Sequence, residues 1–207
     1  SWPRVTDELP RPVKDIKPHP HGLEIGTLQR LLRDASAPSE GGGARTPLRY
    51  FLRNTFSAMS NSRCEEVISL AGLDAARKPA SLKPDDVNSL LAAFSKVRLP
   101  SPPTDCLSPI EDLLIKKGLS KAIDSRFVST VTREPRVTNG NPFQVEVGLI
   151  FGGDLPGDQP IQILRFANRV PLMYQQGGCL LTKALESVDW KRYGLDHPGG
   201  RGIPKGP

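Results

Sequence analysis

Few residues in this 207-residue chain have the types and spacing to do chemistry unaided. His19-Pro20-His21 sets two imidazoles two positions apart and could contribute to a metal site. A tetrahedral zinc needs four ligands at compact spacing, however. The cysteines Cys64, Cys106 and Cys179 form no CxxC pair, and neither they nor His197 cluster with the two histidines. No metal is expected. Three scattered cysteines also argue against a disulfide framework and for a reducing cytoplasm, each thiol acting as a small buried hydrophobe. The acid pairs Glu65-Glu66, Asp85-Asp86 and Glu111-Asp112 fall in first turns of expected helices. The helix dipole accounts for them there better than a catalytic dyad does. Neither the P-loop pattern, the dinucleotide-binding glycine pattern nor the serine nucleophile elbow occurs. So no catalytic residue is assigned.

What remains is recognition chemistry. Trp190-Lys191-Arg192-Tyr193 brackets two cations with two flat rings. The cations supply positive charge and the rings add flat apolar surface. The competing role is local: Trp190 and Tyr193 packing the end of the preceding helix. Ser60-Asn61-Ser62-Arg63 leads into another helix, with Ser62 read as its plain N-cap. Arg45, Arg49 and Arg53 form a basic stripe at i, i+4, i+8, read as a solvated face.

The elements that must position these groups divide into two blocks. Residues 1–18 carry Pro3, Pro10, Pro12 and Pro18 with no apolar period and read as a linker. Ile25, Leu28, Leu31 and Leu32 then share one helical face. A break over 37–43 precedes a second helix bearing Leu48, Phe51, Leu52, Thr55 and Met59. Ser62 and Glu65 form a capping-box pattern for a third helix, with Val67, Ile68 and Ala71 on its face and Gly72 at its stop. A fourth begins at Pro84 with Asp85 and Asp86 in its first turn, and Val87, Leu90, Leu91 and Phe94 on its face. Pro100, Pro102 and Pro103 close this block.

In the second block Ser108-Pro109-Ile110-Glu111 signals a helix start, with the helix running to about Gly118. Phe127–Thr132 reads as extended, Asn139-Gly140 as a turn, and Phe143–Phe151 as the clearest alternating strand. Ile161–Phe166 reads as a returning strand. Leu181, Ala184, Leu185 and Val188 make a last helical face after Gly177-Gly178. The expected fold class is α+β, an all-helical domain followed by a mixed sheet backed by helices.

Composition sets the bounds. The net charge is +6, and Gly and Pro together make 40 of 207 residues, neither collagen-like nor wholly disordered. The charge excess permits contact with a phosphate backbone without demanding it. No apolar run reaches the roughly 18 residues of a membrane span, and no signal peptide opens the chain.

At this point the wording of the second block becomes specific. Pro102-Pro103-Thr104-Asp105-Cys106-Leu107-Ser108-Pro109-Ile110, then Pro142-Phe143-Gln144-Val145-Glu146-Val147-Gly148, Arg165-Phe166-Ala167-Asn168-Arg169-Val170-Pro171-Leu172 and Asp189-Trp190-Lys191-Arg192-Tyr193-Gly194 follow in order. With Lys17-Pro18-His19-Pro20-His21-Gly22 ahead of them, they closely resemble the B-subunit family of DNA topoisomerase VI, a type IIB enzyme. The resemblance covers nearly all of residues 17–195.

It implies residues 1–18 as a linker from an N-terminal ATP-binding domain, 19–99 as a helix–two-turns–helix domain, and 100–207 as a C-terminally truncated transducer. That transducer would be similar to the second domain of ribosomal protein S5. The implied parent activity is ATP-dependent relaxation and decatenation of DNA. ATP and magnesium would be bound by the full-length protein, and none of its ATPase residues lies in this chain. Lys205 is not in the context of the family's nucleotide-contacting lysine. The partners implied are the A subunit, a second B subunit in a heterotetramer, and double-stranded DNA, with no membrane. The A subunit would carry the DNA-cleaving tyrosine, so Tyr193 is not that residue. Trp190, Lys191, Arg192 and Tyr193 match a family element associated with DNA contact. Ser60, Asn61, Ser62 and Arg63 are the second DNA-binding candidates, although this turn departs from the family's pattern. The rival reading is a stand-alone, non-catalytic nucleic-acid-binding module. A DNA glycosylase sharing the helical domain fails, since proline is not the first residue and no four-cysteine finger follows.

Overall fold

The computed structural model describes residues 4–35, 46–195 and 202–204. The break at 37–43, Arg45, His197 and Lys205 lie outside the described residues. The chain is α+β and forms two compact units. One joins Leu9–Pro109 to Arg133–Val145, and the other contains the remainder.

The helical unit is built by α1 (Ile25–Asp34), α2 (Leu48–Thr55), α3 (Asn61–Leu70) and α4 (Pro84–Lys96). Apolar residues four apart supply its core: Leu28 and Leu32, Leu48 and Leu52, Cys64 and Ile68, Leu90 and Phe94. Phe56 sits edge-on between Phe51 and Phe94, with ring centroids 5.7 and 5.5 Å away. Such contacts add to the burial of the rings themselves. Met59 joins this core, but not on α2 as its spacing suggests. The helix ends at Phe56, and Ala58 takes the left-handed conformation at φ 61°, so a turn delivers Met59 inward.

The cap of α3 corrects the sequence reading. Ser60, not Ser62, is the N-cap, extended at φ −78° and accepting a 3.4 Å hydrogen bond from the Arg63 amide. Ser62 already lies inside the helix and its hydroxyl pairs with that of Ser60 at 3.0 Å. At the other end Gly72, at φ +66°, donates to the Ser69 carbonyl while Leu73 donates to Ile68. These two bonds make a Schellman stop at the expected glycine. The start of α4 is also as expected. The Asp86 carboxylate accepts from the Lys83 amide at 2.8 Å and pairs with Arg77 at 2.8 Å, and these contacts lower its pKa.

The second unit opens with α5 (Asp112–Ala122). It starts three residues after Pro109, the expected first helical position, and runs past Gly118 to Ala122. The Glu146 carboxylate accepts from the Ile110 and Glu111 amides at 2.9 and 2.8 Å, and from the Thr132 hydroxyl. Ser108, expected to cap the helix, donates its hydroxyl to the Arg11 carbonyl instead. The helix packs on an antiparallel pair, β1 (Phe127–Thr132) and β4 (Glu146–Phe151). Gly148 makes that approach possible, since a Cβ there would come 2.5 Å from Leu119 Cδ1 and 2.8 Å from Ile115 Cγ2. Phe127, Val131, Val147 and Leu149 share the opposite, exposed face of the pair.

Between β1 and β4 lie β2 (Arg136–Thr138) and β3 (Asn141–Phe143), which pair around Asn139-Gly140. Both turn residues have positive φ, 47° and 70°, as a two-residue hairpin requires. The register slips by one residue between Thr132↔Glu146 and Arg136↔Phe143. The Phe143–Phe151 strand expected from alternation is therefore broken at Gln144 and Val145. An extra residue on the Pro135 side bends the ribbon, and proline has no amide to give the ladder.

Ile161–Phe166 is not a strand. Only β5 (Phe166–Ala167) and β6 (Val170–Pro171) form there, a minimal hairpin around Asn168 and Arg169 at φ 48° and 65°. The expected mixed sheet is replaced, among the described residues, by three two-stranded antiparallel ribbons, because each tight turn sends the chain back onto itself. The last helix is α6 (Leu180–Glu186). Its buried residue is Thr182; of the anticipated face, Leu185 and Val188 are half-buried while Leu181 and Ala184 are exposed.

Two glycines test the packing of α5. Gly148→Val should lower the denaturant midpoint by the equivalent of about 1–3 kcal/mol, the usual cost of forcing volume into a filled contact. Gly118→Ala, whose Cβ meets nothing within 4 Å, should instead stabilise by about 1 kcal/mol. Equal effects would show that α5 does not rest on Gly148.

Candidate nucleic-acid interface

The Trp190–Tyr193 segment is a turn of 3-10 helix directly after α6. Trp190 anchors it. Its indole Nε1 donates to the Leu185 carbonyl at 3.0 Å, and its amide donates to Val188. Gly194, at φ 73°, closes the turn, and the Leu195 amide returns to the Trp190 carbonyl. Trp190 is thus half-buried, while Lys191, Arg192 and Tyr193 face solvent. The Tyr193 ring stands edge-on to the indole, 6.5 Å between centroids. The two readings of this segment divide by residue. Trp190 performs the packing role, and the two cations and the phenol remain available to a ligand.

Ser60, Asn61, Ser62 and Arg63 form the cap and first turn of α3 in the helical unit, so the two candidate groups sit in different compact units. Ser60 already satisfies the Arg63 amide with its hydroxyl and that of Cys64 with its carbonyl. Ser60, Asn61 and Ser62 are exposed, and Arg63 is half-buried. Of the basic stripe, Arg49 is held by Glu65 at 2.6 Å, which offsets its charge; Arg53 is exposed.

The two histidines act as fasteners. His19 Nε2 donates to the Pro100 carbonyl at 3.0 Å and His21 Nε2 to the Val97 carbonyl at 3.1 Å. A carbonyl can only accept, so both rings carry their proton on Nε2. His19 Nδ1 then accepts from the His21 amide at 3.2 Å. The turn is thereby tied to the end of α4, beside an open cleft of about 400 Å³ lined also by Ser95, Ser101 and Asn139. No group of three metal-ligating side chains occurs among the described residues. None of their helices is long and apolar enough to cross a membrane.

Burial, with a smaller push from His21, lowers the pKa of His19 against the opposing pull of the Pro100 carbonyl. Sequence reasoning did not anticipate the Glu146 carboxylate over the start of α5, nor the grouping of Arg165 with Cys179. A glutamate opening an apolar strand and a cysteine just before a short helix were the available signals.

Residues 102–203 match the family model described as topoisomerase VI B subunit, transducer, which makes this a transducer-bearing chain. The matched stretch includes the hairpin that folds with the helices. The B subunit of type 2 DNA topoisomerase 6 from Methanococcoides burtonii is 52% identical over 204 residues, 99% of this chain and 31% of the relative. The protein of the same name in Archaeoglobus fulgidus is 45% identical over 207 residues, 100% of this chain and 33% of the relative. That of Saccharolobus islandicus is 34% identical over 197 residues, 94% of this chain and 36% of the relative. The chain belongs to the topoisomerase VI B-subunit family. It spans about a third of the length of the curated relatives it matches.

The fastening by His19 predicts a pH dependence. The native state disfavours the protonated ring, whereas the unfolded chain accepts a proton near 6.5. Stability is therefore full above pH 6.5 and falls as the pH drops below it. Urea midpoints between pH 8 and pH 5 should show this decline, and His19→Gln should flatten it while lowering the midpoint at pH 8.

Proposed function

We propose that this chain is the relay portion of the B subunit of an ATP-dependent type II DNA topoisomerase. In this reading it couples ATP-driven dimerisation of two B subunits to double-strand cleavage and strand passage by two A subunits. The result is relaxation and decatenation of DNA. The observation that supports it is similarity along essentially the whole chain to proteins of that name. ATP and magnesium would serve the full-length protein, and the cleaving tyrosine would come from the A subunit. Residues 19–99 would form a helix–two-turns–helix domain and residues 100–207 a transducer similar to the second domain of ribosomal protein S5. The chain's part is mechanical. A rigid helix–strand assembly converts clamp closure into a shift between subunits, with no bond made or broken on its own side chains.

In the same reading, Lys191 and Arg192 hold phosphates of the DNA segment, with Tyr193 adding flat surface. A contact made through phosphates has no sequence preference, as strand passage needs. Ser60, Asn61, Ser62 and Arg63 are the second proposed contact. Two exposed serines, Asn61 and the partial positive end of α3 suit a phosphate there.

The test is reconstitution of the full-length B subunit with its A subunit and assay of ATP-dependent relaxation and decatenation. A well-folded complex with no activity would overturn the reading. Within that complex, the double variant Lys191→Ala, Arg192→Ala should weaken DNA binding. The slope of log affinity against log salt should become shallower by about 1.8, twice the ~0.9 expected per phosphate contact. An unchanged slope would remove these residues from the interface.

A further inference from the structure

Arg165 is 8% exposed at the base of the β5–β6 hairpin. No carboxylate pairs with it among the described residues. Its Nη2 donates to the Tyr174 carbonyl at 2.7 Å, and its guanidinium lies over the Tyr174 ring, 5.0 Å from the centroid. Its Nη1 is buried and has no hydrogen-bond partner. A buried guanidinium without a counter-charge is costly, so a negative group is expected beside it. The side chain beside it is Cys179, 2% exposed.

Four donors approach the Cys179 sulfur among the described residues. The Tyr174 hydroxyl donates to it at 3.3 Å. Arg165 faces it. The amides of Thr182 and Leu181 turn toward it from the first turn of α6 without closing a cap hydrogen bond. One further polar atom is left over on that turn: Thr182 Oγ1, buried with no partner. Although the residue is buried, burial influences the thiol less than these donors together do. Cys64 is the contrast. It stands in the helical core, and burial pushes its thiol up.

We propose that Cys179 is a thiolate serving as the counter-ion of Arg165, and that it is the chain's site of reversible oxidation by peroxides. The sulfur attacks one peroxide oxygen. An S–O bond forms as the O–O bond breaks, sulfur gives up two electrons, and the departing hydroxide takes a proton from solvent and leaves as water. The product is a sulfenic acid, which thiols can reduce. Its new oxygen is the acceptor that Arg165 Nη1 and Thr182 Oγ1 lack. The seven residues of α6 are too few to hold a helix unaided, so a change at its N-cap loosens or tightens it. The proposal is independent of what the Trp190–Tyr193 turn binds.

The charge state follows from the same geometry. Tyr174 and Arg165 bring the Cys179 pKa down to about 6, while the Tyr174 hydroxyl, as donor, is raised. The test uses the whole chain, folded and reduced. It is treated with iodoacetamide across pH 5–10, and separately with hydrogen peroxide plus dimedone, and the cysteines are resolved by peptide mass spectrometry. Cys179 should alkylate with a midpoint near pH 6 and take at least about tenfold more dimedone than Cys64. Arg165→Gln should move the midpoint toward that of an ordinary thiol. Tyr174→Phe should move it in the same direction and decides the question if the arginine variant does not fold. A Cys179 midpoint above pH 8 in the unaltered chain, or dimedone labelling confined to Cys106, would overturn the proposal.

Discussion

The close approach of two turns decides how this chain is divided. Gly140, at the tip of the long hairpin, lies against the His19 ring so closely that a Cβ would come 2.6 Å from Nδ1. Gly22 meets the same tip from the other side, where a Cβ would stand 2.9 Å from the Asn139 carbonyl oxygen. The imidazole is held still for this contact by its bonds to Pro100 and to the His21 amide. Residues more than a hundred positions apart therefore belong to one compact unit, and the hairpin tip packs with helices from the first half of the chain.

The ribbon that carries this tip is continuous in sequence with β1 and β4. Its one-residue slip falls where the ribbon passes from one compact unit to the other. The Arg133 amide still reaches the Val145 carbonyl at 2.9 Å, so the ladder bends there without being lost. α5 packs against Gly148 in one unit, and His19 packs against Gly140 in the other.

The polar chemistry of the second unit follows from where its carboxylates are engaged. Glu146 directs its carboxylate at three donors around the start of α5, and Arg165 is left without one among the described residues. The aromatic ring, carbonyl and sulfur that surround Arg165 replace it, which gives an otherwise ordinary cysteine its distinct environment. The exposed cations of Lys191 and Arg192 lie beyond Trp190, whose indole ties their turn back to α6.

Local patterns were enough for much of this protein. The four helices of the first block, the proline start of α4, the glycine stop of α3 and the Asn139-Gly140 turn are short-range events. Each is decided by side chains within about one helical turn, which is why they could be read from residue order. So could the family, through motifs in fixed order. The remainder depended on partners far along the chain. Ser62 and Glu65 satisfied the capping pattern, but an extended backbone at Ser60 took the cap. Ser108 had the right sequence for a helix start, but Arg11 claimed its hydroxyl and Glu146 supplied the carboxylate. Alternation predicted one strand over Phe143–Phe151, yet pairing register is a property of two strands at once, and the slip was invisible in either alone. Arg165, Tyr174 and Cys179 acquired their chemistry only by being brought together in the fold, because the charge a side chain carries there is set by the donors that surround it.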